Sequence, residues 1–86
     1  MLFTVTDSAK KDIDKLPRAV RSRLGDKLRY WERADTPLQF AAPLVKSHEA
    51  THRFRLGTYR IIVKNMDDRE LRILRVRHRK DVYKRL

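Results

Sequence analysis

The chain of 86 residues carries 22 Lys and Arg against 11 Asp and Glu, a formal net charge of +11, with no cysteine and three histidines. So short a chain has interior for one core, and residues 1 to 86 read as a single domain. Without cysteine neither a disulfide framework nor a thiolate metal site forms, and His48, His52 and His78 lack the spacing of a zinc cluster. The apolar runs fall far short of a membrane span, so a cofactor-free cytoplasmic protein with no membrane partner is expected.

The stretch LFTV, residues 2 to 5, is apolar and β-branched and reads as a short strand; Thr6 or Asp7 after it can cap a helix. Ala9, Ile13 and Leu16 recur at helical spacing as far as Leu16-Pro17, where the residue before proline is driven out of the helical region. Pro17 suits the first position of a second helix with an apolar stripe of Val20, Leu24, Leu28 and Trp31. Trp31 is expected in the core and Tyr30 at its rim. Gly25 inside this helix costs about 1 kcal/mol relative to alanine, so a close contact is expected there. Residues 35 to 43, DTPLQFAAP, have two prolines and no sustained period, and read as a connecting loop.

Downstream, HRFRL alternates, GT supplies a turn, YRIIVKN is a strand, MDDRE is an Asp-rich turn and LRILRVR is another strand. Alternation sets Phe54 and Leu56 on one face and Arg53 and Arg55 on the other, giving a buried and a cationic side. The expected fold is α+β, with two N-terminal helices over about 7 to 34 packed on one face of a roughly four-stranded antiparallel sheet. Residues 51 to 77 supply its meander and residues 2 to 5 its remaining strand.

The charge is concentrated in the second part of the chain. Residues 1 to 50 hold ten basic and seven acidic side chains, whereas residues 51 to 86 hold twelve and four, nine of the twelve being arginine. Arginine grips phosphate bidentately and stacks on bases, so a polyanion site is expected on the sheet. Cleavage of RNA by its own 2′-hydroxyl needs removal of that proton, stabilisation of charge on the phosphorane and protonation of the 5′-oxygen. Arginine supplies the second requirement. For proton transfer the basic region offers His78, Tyr83, Glu49, Asp81, Lys64 and Lys80.

The sequence RFRLGTYRIIV, an acidic turn and LRILRVRHRKDVY together resemble the RelE/ParE toxin superfamily, in its RelE branch, over nearly the whole chain. The motifs that carry the resemblance are Gly57-Thr58-Tyr59-Arg60 leading into a strand, and the terminal HRKDVY. It implies a toxin of a type II toxin-antitoxin system: a ribosome-dependent, metal-independent endoribonuclease that cleaves mRNA in the A site. An acidic, RelB-like antitoxin is the implied partner.

The same resemblance casts Arg60, Arg79, Tyr83 and His78 as catalytic, and Arg53, Arg55, Arg77 and Lys80 as RNA-binding. Arg53 and Arg55 replace a pair of lysines in the prototype, and guanidinium stabilises charge but hardly acts as a base. The glutamate that a YoeB-type subgroup uses before Pro-Leu is Ala42 here, and Glu49 is no evident replacement. A ParE-type toxin that inhibits DNA gyrase without nuclease chemistry, and a non-catalytic RNA-binding domain, are the alternatives; HRKDVY favours the first reading.

Overall fold

Thr6 closes the first strand and opens the first helix. Its hydroxyl accepts the Ala9 N–H at 3.1 Å, a helix N-cap, and donates to the Leu74 carbonyl at 3.0 Å, tying the cap to a distant strand. The computed structural model describes residues 1–45 and 47–84, the last three by backbone alone. Strand β1 (Leu2–Val5), helix α1 (Asp7–Asp14) and helix α2 (Arg18–Arg33) are followed by a 3₁₀ turn (Pro37–Phe40) and strand β2 (Ala41–Pro43). Strands β3 (His52–Leu56), β4 (Tyr59–Asn65) and β5 (Glu70–His78) and helix α3 (Arg79–Lys84) complete the order.

The result is an α+β fold whose sheet has five strands in the order β1-β5-β4-β3-β2. Consecutive strands β2 to β5 pair antiparallel, whereas β1 pairs parallel with β5, with Phe3 opposite Leu71. The parallel pair is possible because the whole intervening chain, helices included, separates the two strands. The expected fourfold antiparallel sheet therefore gains one strand and one parallel edge. The extra strand comes from the stretch read as a loop: Pro37 is buried at the head of the 3₁₀ turn, and Ala41 lies opposite Phe54. Pro43 is tolerated because β2 is an edge strand. At the other edge, Glu32 accepts the Phe3 N–H at 2.8 Å and blunts β1 against further pairing.

Helices and sheet meet over Leu24, Phe54, Ile61, Val63, Leu71 and Ile73, the largest fully buried side chains, each contributing about 1.5–3 kcal/mol on burial. Trp31 packs on Phe54 with ring centroids 4.3 Å apart, and Phe3 meets the same ring edge-on at 5.6 Å. Trp31 is buried and Tyr30 is 57% exposed, the division expected of their positions on α2. Pro17 is the N-cap of α2 rather than its first helical residue, with ψ at 147°. At Gly25 a Cβ would meet only the Arg29 guanidinium, at 3.5 Å and beyond, so no close contact explains that glycine. Among the described residues no helix is long and apolar enough to cross a membrane.

Candidate nucleic-acid interface

In an antiparallel pair, directly opposed residues project to the same face. Arg55 stands opposite Arg60, and Arg60 opposite Arg77, so three arginines lie abreast across β3, β4 and β5. Strands spaced about 4.8 Å apart make this row roughly 10 Å wide. Arg53 lies opposite Ile62 on the same face, which is turned away from buried Phe54, Leu56, Ile61 and Val76. Among the described residues no carboxylate lies within 4.0 Å of Arg53, Arg55, Arg60 or Arg77. Arg72, further along β5, is paired with Glu70 at 3.1 Å. Like charges directly opposed oppose folding, and a bound anion relieves that repulsion.

Arg60 is the anchored member of the row. It is only 5% exposed, and its Nη1 donates to the carbonyls of Gly57 at 2.9 Å and Tyr59 at 3.0 Å. Gly57 sits at φ 58°, a left-handed turn that glycine adopts without strain, and the guanidinium ties off the carbonyls around it. The side chain is thus fixed by the turn it follows, while Nε and Nη2 retain donors for a further acceptor. Arg55 is exposed and Arg77 half-buried on either side of it.

His78 lies on the other face of the sheet, opposite Tyr59, the rings in an edge contact at 5.3 Å. Its Nδ1 accepts the Lys80 N–H at 3.3 Å, so the neutral ring carries its proton on Nε2. A cavity of about 370 Å³ at this end of the sheet is lined by Asp12, Tyr59, Arg75, Arg77, His78 and Asp81 among others. Arg77 is the residue common to the row and the cavity. Arg79, Lys80 and Asp81 are exposed in the first turn of α3, with the Arg79 N–H bonded to the Thr58 carbonyl at 2.7 Å. The Tyr83 side chain lies outside the described residues. Arg53 and Arg55, two strands from β5, are not brought to His78.

Asp12 has no counterpart in the residues singled out by sequence. Its carboxylate accepts from Arg75 Nε at 2.8 Å and Nη2 at 3.0 Å and from the Val76 N–H at 2.9 Å. Burial pushes the carboxyl up, but the Arg75 and Val76 hydrogen bonds and the charges of Arg75 and Arg77 hold it below the ordinary aspartate value. The same hydrogen bond raises Arg75 above the usual arginine value. The available signal was an acidic residue set within the apolar stripe of Ala9, Ile13 and Leu16. Among the described residues no cluster of three or more His, Asp or Glu is placed to hold a metal ion.

A family model for the ParE toxin of the type II toxin-antitoxin system parDE matches residues 3–83. The chain belongs to this toxin family. The toxin RelG of Mycobacterium tuberculosis is 33% identical over 88 residues, an alignment covering 99% of this chain and all of RelG. The toxin-antitoxin complex RelBE2 of the same organism contains a chain 29% identical, superposing with a TM-score of 0.74 over 90% of this chain and 88% of that one. A chain of the RelB-RelE antitoxin-toxin complex from Methanococcus jannaschii shares the fold at 22% identity, with a TM-score of 0.74 over 100% and 99% of the two chains. This member of the RelE/ParE family is thus a toxin of a type II toxin-antitoxin system, with RelE toxins of RelBE complexes as its structural neighbours.

Proposed function

We propose that this toxin arrests translation as a ribosome-dependent, metal-independent endoribonuclease that cleaves mRNA in the A site. The observation that carries the reading is the in-register row Arg55, Arg60 and Arg77, three guanidinium groups at the spacing of adjacent strands with no carboxylate partner among the described residues. Arginines placed where charge accumulates act most strongly on the transition state. In this reading the 2′-hydroxyl gives its proton to a water molecule as its oxygen attacks phosphorus at the cavity end of the row. Arg77 with Arg60 beside it draws off the charge that builds on the phosphoryl oxygens, Arg55 holds the adjoining backbone, and the bond to the 5′-oxygen breaks. His78 as the imidazolium gives a proton to the leaving oxygen and is left neutral; Arg79 and Tyr83 act beside it. Arg53 and Lys80 hold the flanking backbone. Removal of the 2′ proton falls to none of the arginines, since guanidinium does not readily deprotonate.

The cationic face also suits an acidic antitoxin, a partner supported by neighbours solved as toxin-antitoxin complexes. Co-purification with the product of an adjacent reading frame is the expected result, and stable, harmless expression of the toxin alone would argue against this reading. The deciding experiment is single-turnover cleavage of mRNA on programmed ribosomes by the purified toxin. The ParE description of the matching family supports a second reading, inhibition of DNA gyrase without nuclease activity. A supercoiling assay run beside the ribosome assay separates the two.

A further inference from the structure

Strict alternation along β5 cannot produce the arginine row. Leu71 and Ile73 face the helices, and continuing at period two would send Arg75 and Arg77 to the same side, with Val76 and His78 outward. The pairing with β4 breaks this pattern: Val63 stands opposite Ile73 and Ile62 opposite Arg75, leaving Leu74 without a partner. This β-bulge inserts one residue and inverts every later side chain. Val76 therefore joins the core, His78 meets Tyr59, and Arg77 turns into line with Arg60.

The bulge lies where β1 ends. The last parallel pair is Val5 with Ile73, so beyond it the outer edge of β5 has no strand beside it. Helix α1 covers that edge from both ends of the bulge. The Thr6 hydroxyl donates to the Leu74 carbonyl, and Asp12 takes the Val76 N–H together with the Arg75 guanidinium. The Asp12 side chain is 13% exposed, and it is held to residues 63 and 64 positions away in sequence. Burial of Val76 selects the bulge; what the apolar pattern leaves open is its local geometry, and hence the aim of the two residues that follow.

We propose that Asp12 is a positioning residue of the candidate site, fixing the β5 bulge so that Arg77 enters the row with Arg55 and Arg60 and His78 enters the cavity beside Tyr59. Asp12 does not touch the reacting atoms. It acts through Val76 and Arg75, with Thr6 as the second clamp. A displacement of about 1 Å at a reacting group can cost on the order of a hundredfold in rate, so a local loosening here is felt although the core persists.

The cleavage part of this inference rests on the ribonuclease reading, and the experiment keeps the two apart. Asp12→Asn, which retains an oxygen for the Val76 N–H but loses the charge, and Asp12→Ala, which loses both, are compared with wild type at equal folded fraction. The first measurement is structural: amide exchange at Val76 and Arg77 and the ring resonances of His78, each with and without a single-stranded oligoribonucleotide. The expected result is faster exchange and displaced His78 resonances, graded from Asn to Ala, with weaker oligonucleotide binding. The second is single-turnover cleavage on programmed ribosomes, expected to fall by about tenfold to a hundredfold in Asp12→Ala with KM nearly unchanged and with Asn intermediate. A purely structural role would lower the melting temperature yet leave the rate per folded molecule at the wild-type value, and that outcome overturns the proposal. If wild type itself does not cleave, the ribonuclease reading fails, and the structural arm alone decides: unchanged Arg77 exchange and His78 resonances in Asp12→Ala overturn the clamp.

Discussion

Arg60 and Arg77 stand directly opposite one another on β4 and β5, and among the described residues neither has a carboxylate within 4.0 Å. With Arg55 opposite Arg60 on the other side, the sheet carries uncompensated like charge that folding alone does not favour.

Removing the exposed end of the row should therefore stabilise the fold while weakening its affinity for polyanions. Arg55→Gln is expected to gain about 0.2–1 kcal/mol in denaturant unfolding at low salt, the usual range for a cross-strand pair. Its affinity for a single-stranded oligoribonucleotide should fall, with a shallower salt dependence. A loss of stability would show that Arg55 is held by interactions other than repulsion with Arg60.

Arg60 differs because its guanidinium also holds the Gly57 and Tyr59 carbonyls. Arg60→Ala should cost about 1–3 kcal/mol of stability through those carbonyls, and roughly two to three orders of magnitude in single-turnover cleavage. Thermal unfolding and cleavage at a temperature where the variant is fully folded measure the two effects separately. Cleavage within about threefold of wild type would remove Arg60 from the phosphate site.

The Asp12 interactions predict a pH dependence of known sign. Its folded pKa is lowered, so the stability it contributes is present above the ordinary aspartate pKa of about 4 and is lost as pH falls through the folded value. Asp12→Asn should be less stable than wild type near pH 6, with the gap narrowing toward pH 3. Denaturant unfolding of both proteins across that range is the measurement; a gap independent of pH would mean that the carboxylate charge contributes nothing.

His78 lines the cavity beside Tyr59, where the imidazolium form can act as a proton donor. His78→Gln should slow cleavage by about a hundredfold or more without abolishing ribosome binding, as expected for loss of a positioned acid. Tyr83→Phe, tested in parallel, should also slow the chemical step. If both variants cleave at the wild-type rate, the leaving oxygen takes its proton from elsewhere.

Much of this molecule is legible in its local pattern. The stripes of Ala9, Ile13 and Leu16 and of Leu24 and Trp31 specify two helices, Leu16-Pro17 separates them, and the alternation of Phe54 and Leu56 with Arg53 and Arg55 divides the sheet into apolar and cationic faces. These are short-range consequences of side-chain period and backbone sterics, and they hold wherever the chain folds. The motifs GTYR and HRKDVY likewise mark the region in which the candidate site lies.

Tertiary structure decides the rest. The residues AAP form a strand only because β3 offers an edge to pair with, and β1 runs parallel to β5 through a pairing that no local pattern specifies. The bulge at Leu74 decides which face receives Arg77 and which receives His78, and simple alternation assigns both to the wrong side. Asp12, unremarkable within its helix, acquires its role from β5 residues more than sixty positions away. A sequence fixes which faces are apolar because that depends on neighbours a few bonds apart; which arginines stand abreast depends on strand register, and register is settled only when the core closes.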